Sequence, residues 1–214
     1  MSHVDSTGTP AATPSSYPKG FRPRRGLNWG LLGAMYAAYY MCRYNFRFAT
    51  PGMQAEFGFT TTQIADMIAI WSLTYGTGQM VNGLLCDRIG GKRSMLIGAF
   101  GTIVVNLLLG LAPLLLLGGA MAASAKFVFG ADSVDPAFLA ISVIWLVNGW
   151  FQSFGAPGMV KVNAAWFRRT ERGTFAGIFG FMIQMGQVLS AKLSKAILAG
   201  IIIGGFAIAK GEWR

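Results

Sequence analysis

Five long apolar runs separated by short basic clusters constrain this chain more than any other feature. They cover about 28–49, 62–85, 94–117, 136–160 and 173–198, each near or above the roughly 20 residues that a helix needs to cross a bilayer. With 53% hydrophobic and 12% charged residues, the chain carries about half the charge of a soluble domain, for which about a quarter is usual. The composition therefore predicts an all-α membrane protein, a bundle of about five spans. Pro51 is expected to end the first run, and the fifth stays apolar until about Ala209, too long for one straight span. A tilted helix, or a span followed by an interfacial segment, would accommodate it.

The formal net charge is +10. A nucleic-acid binder would spread such charge over a solvated face, so no nucleic-acid partner is expected. Here Lys19, Arg22, Arg24 and Arg25 precede the first run, Arg88, Lys92 and Arg93 follow the second, and Arg168, Arg169 and Arg172 follow the fourth. The alternate connections hold only Lys126, Lys210 and Arg214. Ten against three in strict alternation predicts a multi-pass protein of the cell membrane with its N-terminus in the cytoplasm. Residues 1–26 read as a disordered basic tail rich in Ser, Thr and Pro, followed by one bundle over 27–214. The closing Gly211-Glu212-Trp213-Arg214 resembles the entrance to a sixth helix, so truncation before that span is expected. Cys42 and Cys86 lie within or at the end of apolar runs and read as small buried residues.

Between the second and third runs stands Gly83-Leu84-Leu85-Cys86-Asp87-Arg88-Ile89-Gly90-Gly91-Lys92-Arg93. It matches G-x-x-x-D-R-x-G-x-[KR]-[KR], and the chain thereby resembles the major facilitator superfamily. Gly83 suits close helix contact, Asp87 places a charge at a helix end, and Gly90 and Gly91 suit a tight turn. The resemblance implies that Gly83, Asp87, Arg88, Gly90, Lys92 and Arg93 form a conformational latch between helix bundles.

Two further stretches are similar to the organophosphate:phosphate antiporters of that superfamily. They are Tyr36-Ala37-Ala38-Tyr39-Tyr40-Met41-Cys42-Arg43-Tyr44-Asn45-Phe46 and Asn148-Gly149-Trp150-Phe151-Gln152-Ser153-Phe154-Gly155-Ala156-Pro157, the latter followed by Trp166-Phe167 and Glu171-Arg172-Gly173. From the residues themselves, Tyr36, Tyr40, Arg43 and Arg47 share one helical face. An arginine within a span costs roughly 2.5–3.5 kcal/mol on insertion scales, so Arg43 should face a cavity with a partner or a ligand. Its planar fork suits phosphate. The competing reading pairs Arg43 with an acid, for which Asp66 is the in-span candidate; Arg47 reads as a snorkelling residue.

The resemblance implies that Arg43 is one of two arginines gripping a substrate phosphate, the second lying in a C-terminal half. It implies that Tyr36, Tyr40 and Tyr75 line the pocket. Gln79 stands where glycerol-3-phosphate-transporting members carry lysine, and Ile183-Gln184 where they carry His-Asn. The pocket is thus less basic, with Gln79 and Gln184 as hydrogen-bonding candidates. The glycines Gly173, Gly177 and Gly180, with Gly76 and Gly78, read as helix-packing residues.

The expected function is secondary active exchange of an organophosphate for inorganic phosphate by alternating access. Its expected partners are a small anionic substrate, phosphate, the lipid bilayer and the missing half. No catalysis, metal or cofactor is expected, since no nucleotide loop, zinc spacing or nucleophile constellation is present. The open alternatives are a sugar-phosphate membrane sensor of the same family, a superfamily transporter for a carboxylate or sugar, and a five-helix accessory subunit.

Overall fold

A computed structural model describes residues 19–117, 135–203 and 206–208. Its helices are α1 Phe21–Phe57, α2 Thr61–Ile89, α3 Gly91–Leu117, α4 Pro136–Gln152, α5 Gly155–Trp166 and α6 Arg172–Leu198. Local chemistry sets their ends. Gly58 closes α1 at φ 71°, its N–H donating to the Gln54 carbonyl, a left-handed position that glycine adopts without strain. Thr60 and Gln63 form a reciprocal capping box at the start of α2. Asp135 caps α4, with Pro136 at its first position.

Two expectations about helix ends need correction. Helix α1 passes through Pro51 and continues to Phe57. The proline removes one hydrogen bond, but the extra turns bury Met53 completely against Phe46, Ala49 and Phe59. The fourth run is not one helix. Pro157 would clash with the Ser153 carbonyl in a continuous helix, and the chain breaks at Ser153-Phe154 to restart as α5. Polar groups freed at the joint are paired internally: Asn82 Nδ2 donates to Ser153 Oγ (2.6 Å) and to the Trp150 carbonyl (3.2 Å). In a lipid solvent such groups have no water to turn to.

The fifth run also ends as a helix at Leu198. Gly200 takes φ 85°, and Ile201–Ile203 (β1) pairs antiparallel with Phe206–Ile208 (β2), Ile201 opposite Ile208. The small hairpin is the only sheet among the described residues. The tail through residue 18, Lys126, Lys210 and the Gly211–Arg214 segment lie outside the described residues. Helix α1 already begins at Phe21, within the segment read as tail.

The bundle buries several polar residues among its apolar core and exposes large apolar side chains. Asn82, Asn148, Gln152 and Ser153 are at most 1% exposed, whereas Met80 and Leu84 are 76% and 72% exposed. Those exposed apolar side chains suit lipid as the solvent. By length and composition three stretches can cross a membrane on their own, 91–113, 136–166 and 172–198. Helices α1 and α2 are longer than a span requires, but their Arg, Tyr, Asn, Thr and Gln content lowers their average apolarity. The chain is a multi-pass membrane protein.

One cluster joins α1, α2, α3 and α4 around Phe46, Met53, Met67, Ile141 and Trp145, with Phe46 and Trp145 stacked at 4.2 Å. A second joins α1, α3 and α6 around Leu32, Tyr36, Tyr39, Met95 and Phe179. The start of α1, the α2–α3 joint and the α5–α6 turn lie at one end, tied by ion pairs from Arg25 to Glu171 (3.1 Å) and from Lys161 to Asp87 (2.7 Å). The expected basic clusters thus meet at a single end of the bundle.

Close packing falls on other glycines than the 173/177/180 stripe, which nothing approaches among the described residues. Gly186 instead rests on the Ala37 backbone, and Gly33 on Met182, so α1 and α6 touch closely. Gly78 packs on Ser153, while Gly76 meets nothing. Gly186→Val should therefore destabilise the full-length protein in detergent by about 1–3 kcal/mol, whereas Gly177→Ala should leave its melting temperature unchanged.

Candidate functional site

Helices α1, α2 and α4 converge on one guanidinium. Residues Tyr40 and Arg43 are three apart on α1 and Trp71 and Tyr75 four apart on α2, so each pair shares a helical face. The Arg43 guanidinium lies 4.6 Å from the Tyr40 ring centroid, 4.3 Å from Tyr75 and 4.8 Å from Trp71. Trp71 and Tyr75 are stacked at 5.0 Å, and Tyr36 meets Tyr40 at 5.7 Å. The aromatic wall attracts a cation through the ring faces.

The rest of the site comes from α4. Arg43 Nε donates to Gln152 Oε1 at 3.0 Å. Trp71 Nε1 donates to Asn148 Oδ1 at 3.1 Å. Arginine and tryptophan are donors only, so both amides must present their oxygens to them. Their amino groups, Gln152 Nε2 and Asn148 Nδ2, are then buried without partners. Gln152 and Asn148 are 1% and 0% exposed. A buried donor without an acceptor costs about 1–3 kcal/mol, which an oxygen-rich ligand would recover. Asp66 forms no ion pair with Arg43 or Arg47, and neither arginine has an acid partner among the described residues.

The structure thus brings Arg43, Tyr36, Tyr40 and Tyr75 together. Gln79 lies one turn beyond Tyr75 on α2, half-buried and without a hydrogen bond among the described residues. Gln184 is not brought to them. The α6 residues that meet α1 include Phe179, Met182, Gly186 and Ser190; at 100° per residue Gln184 falls on the opposite face, and it is exposed. Trp71, Asn148 and Gln152 were missed as site residues. The available signal was the i, i+4 spacing of Asn148 and Gln152 inside an otherwise apolar run, which puts two amides on one face.

The loop motif has a different geometry. Gly90 closes α2 at φ 86°, ψ 152°, its N–H donating to the Cys86 carbonyl. Gly91 packs on the Gly158 backbone, so the motif's second glycine lets α3 and α5 cross closely. Asp87 is held by Lys161, whose Nζ reaches both the carboxylate (2.7 Å) and the Asp87 carbonyl (3.0 Å). Arg88, Lys92 and Arg93 are exposed. Gly83 is half-buried, with no other group within reach of a methyl there among the described residues.

The sequence profile of the Major Facilitator Superfamily matches residues 32–214. Among relatives, the chain is 30% identical to the glycerol-3-phosphate transporter of Bacillus subtilis, over 74% of this chain and 31% of that protein. It is 28% identical to the membrane sensor protein UhpC of Salmonella typhimurium, over 76% and 31%. It is 27% identical to a probable hexose phosphate transport protein of Chlamydia trachomatis, over 84% and 32%. The chain spans about a third of the length of these relatives. No solved structure matches.

Gly90→Ala would force a side chain into a backbone region that is essentially glycine-only, at about 1–3 kcal/mol. Asp87→Asn breaks an exposed pair and should cost less than about 1 kcal/mol. Denaturation of the two purified full-length variants should rank them in that order.

Proposed function

We propose, since this chain belongs to the major facilitator superfamily, that it supplies the N-terminal helices of a secondary transporter exchanging an organophosphate for inorganic phosphate. One observation carries the reading. Arg43 is a guanidinium inside a helix bundle with no acid partner among the described residues, set beside two buried amide donors that lack acceptors. Such a set of donors suits a phosphate, which has acceptors on every side and a charge to neutralise the arginine. The aromatic wall of Tyr36, Tyr40, Trp71 and Tyr75 would carry the organic part of the substrate.

The relatives' names point to the same chemistry: transport of glycerol 3-phosphate, transport of hexose phosphate, and membrane sensing. A C-terminal half would close the other side of the site and add a second arginine, and the two halves would rock about the anion. In this reading the basic end of the bundle faces the cytoplasm, Asp87, Arg88, Lys92 and Arg93 form the latch that couples the halves, and Gln79 and Gln184 reach substrate oxygens only with the second half in place. The protein is a transporter and not an enzyme.

Full-length protein reconstituted in liposomes should exchange internal phosphate for external labelled phosphate, and sugar phosphates should compete. Arg43→Lys keeps the charge but removes the fork, and should abolish exchange. Undiminished exchange in that variant would sink the site assignment. Binding of sugar phosphate without exchange would favour the sensor reading.

A further inference from the structure

One face of α2 serves both the site and the helix joint behind it. Trp71, Tyr75, Gly78 and Asn82 stand at i, i+4, i+7 and i+11, so they line a single stripe of that helix. Trp71 and Tyr75 wall the Arg43 guanidinium at 4.8 and 4.3 Å. Further along the stripe, Gly78 and Asn82 meet the end of α4. A methyl on Gly78 would lie 2.6 Å from Ser153 Oγ, so the helices touch there with no side chain between them. Asn82 is fully buried, and its Nδ2 donates to the Trp150 carbonyl at 3.2 Å and to Ser153 Oγ at 2.6 Å. Gln152 lies between those two residues, and its Oε1 accepts from Arg43 Nε at 3.0 Å.

Hydrogen-bond pairing alone does not call for an asparagine here. The Trp150 carbonyl also accepts from the Ser153 hydroxyl at 2.6 Å and from the Ser153 N–H at 3.2 Å. The Asn82 amide leaves its own Oδ1 buried without a donor, which costs stability. A leucine of similar size would avoid that cost and leave the carbonyl and hydroxyl paired with each other. What the amide adds is position. Helix α4 stops at Gln152 and α5 starts at Gly155, so a continuous helix does not hold the last turn of α4 from its C-terminal side. A two-point grip from α2 fixes where that turn sits against α1, and a supporting contact of this kind locks the side chain that meets a ligand.

We propose that Asn82 is a positioning residue of the anion site. Its grip on Trp150 and Ser153 holds Gln152 on Arg43, with Gln152 Nε2 presented to a bound phosphate. The proposal rests on the substrate reading given under Proposed function and adds a residue that touches no ligand. Asn82 also immediately precedes Gly83, where the loop motif begins, so the same grip joins the site to the end of α2 that carries the motif.

Calorimetric titration of the purified full-length protein with inorganic phosphate tests this. Asn82→Leu should raise the phosphate Kd about tenfold or more, the contribution of one hydrogen bond to a charged group. Gln152→Ala should raise it by a similar factor, and adding Asn82→Leu to that variant should change it no further. An unchanged Kd in Asn82→Leu, or an equal further loss in the Gln152→Ala background, would overturn the proposal. If Asn82→Leu does not fold, Ser153→Ala removes one of the two grip points; it should weaken phosphate binding in the same way, and an unchanged Kd again overturns the role. A second readout needs no ligand. Spin labels on Leu146→Cys of α4 and Val160→Cys of α5, both exposed positions, report the joint in a Cys42→Ala, Cys86→Ala background. Asn82→Leu should shift or broaden the distance between them, and an unchanged distribution overturns the positioning role. If the wild-type protein binds no phosphate, the substrate reading fails by itself, and the label distance alone decides whether Asn82 holds the joint.

Discussion

A polar group inside this bundle can look only to the bundle for a partner. Lipid offers no hydrogen bonds, so the backbone is helical wherever it crosses, and each interruption is repaired locally. The repair at Ser153 shows how demanding the rule is. Pro157 breaks the helix, and Asn82 reaches across from α2 to take up the exposed Trp150 carbonyl and the Ser153 hydroxyl. Elsewhere Asn45 on α1 donates to Asn106 on α3 at 3.0 Å, and Tyr39 donates to the Met95 carbonyl at 2.9 Å. Interhelical polar contacts of this kind contribute on the order of 1 kcal/mol each. Their larger effect is on register, since each one fixes how far one helix slides along its neighbour.

The amides of Asn148 and Gln152 are two of nine buried side-chain polar groups with an atom left unpartnered among the described residues. Each satisfies a donor with its oxygen and leaves its amino group buried without an acceptor. Gln152 bonds the Arg43 guanidinium and Asn148, one turn earlier, the Trp71 indole beside it, on the helix that ends at Gln152. The break and the site are therefore neighbours. Packing elsewhere is made tight by glycines at backbone crossings, Gly186 on Ala37 and Gly91 on Gly158. These contacts hold α1 against α6 and α3 against α5.

Much of this is legible in the chain alone. The apolar runs, the alternating basic clusters and the loop motif are one-dimensional patterns, because helix length and loop charge depend on local composition. Arg43 is legible too, since an arginine inside an apolar run has few ways to exist. What escapes are features that depend on which faces meet. The stripe of Gly173, Gly177 and Gly180 has the spacing of a packing motif, yet it faces away from the contact made by Gly186. Gln184 has the chemistry of a site residue, yet the face that binds α1 turns it outward. Pro51 has the character of a helix end, yet burial of Met53 carries α1 beyond it.

The sequence by itself therefore determined the class of solvent, the number and rough extent of the apolar runs, the family and the single arginine around which a site can form. The tertiary structure alone decided which side chains surround that arginine. Trp71 and Gln152 reach Arg43 from α2 and α4, and Asn148 holds Trp71 in place. The physical reason is that helix propensity and hydropathy act along the chain within a few residues. A cavity is made by the rotation of separate helices about their axes, set by steric fit and interhelical hydrogen bonds between residues far apart in sequence.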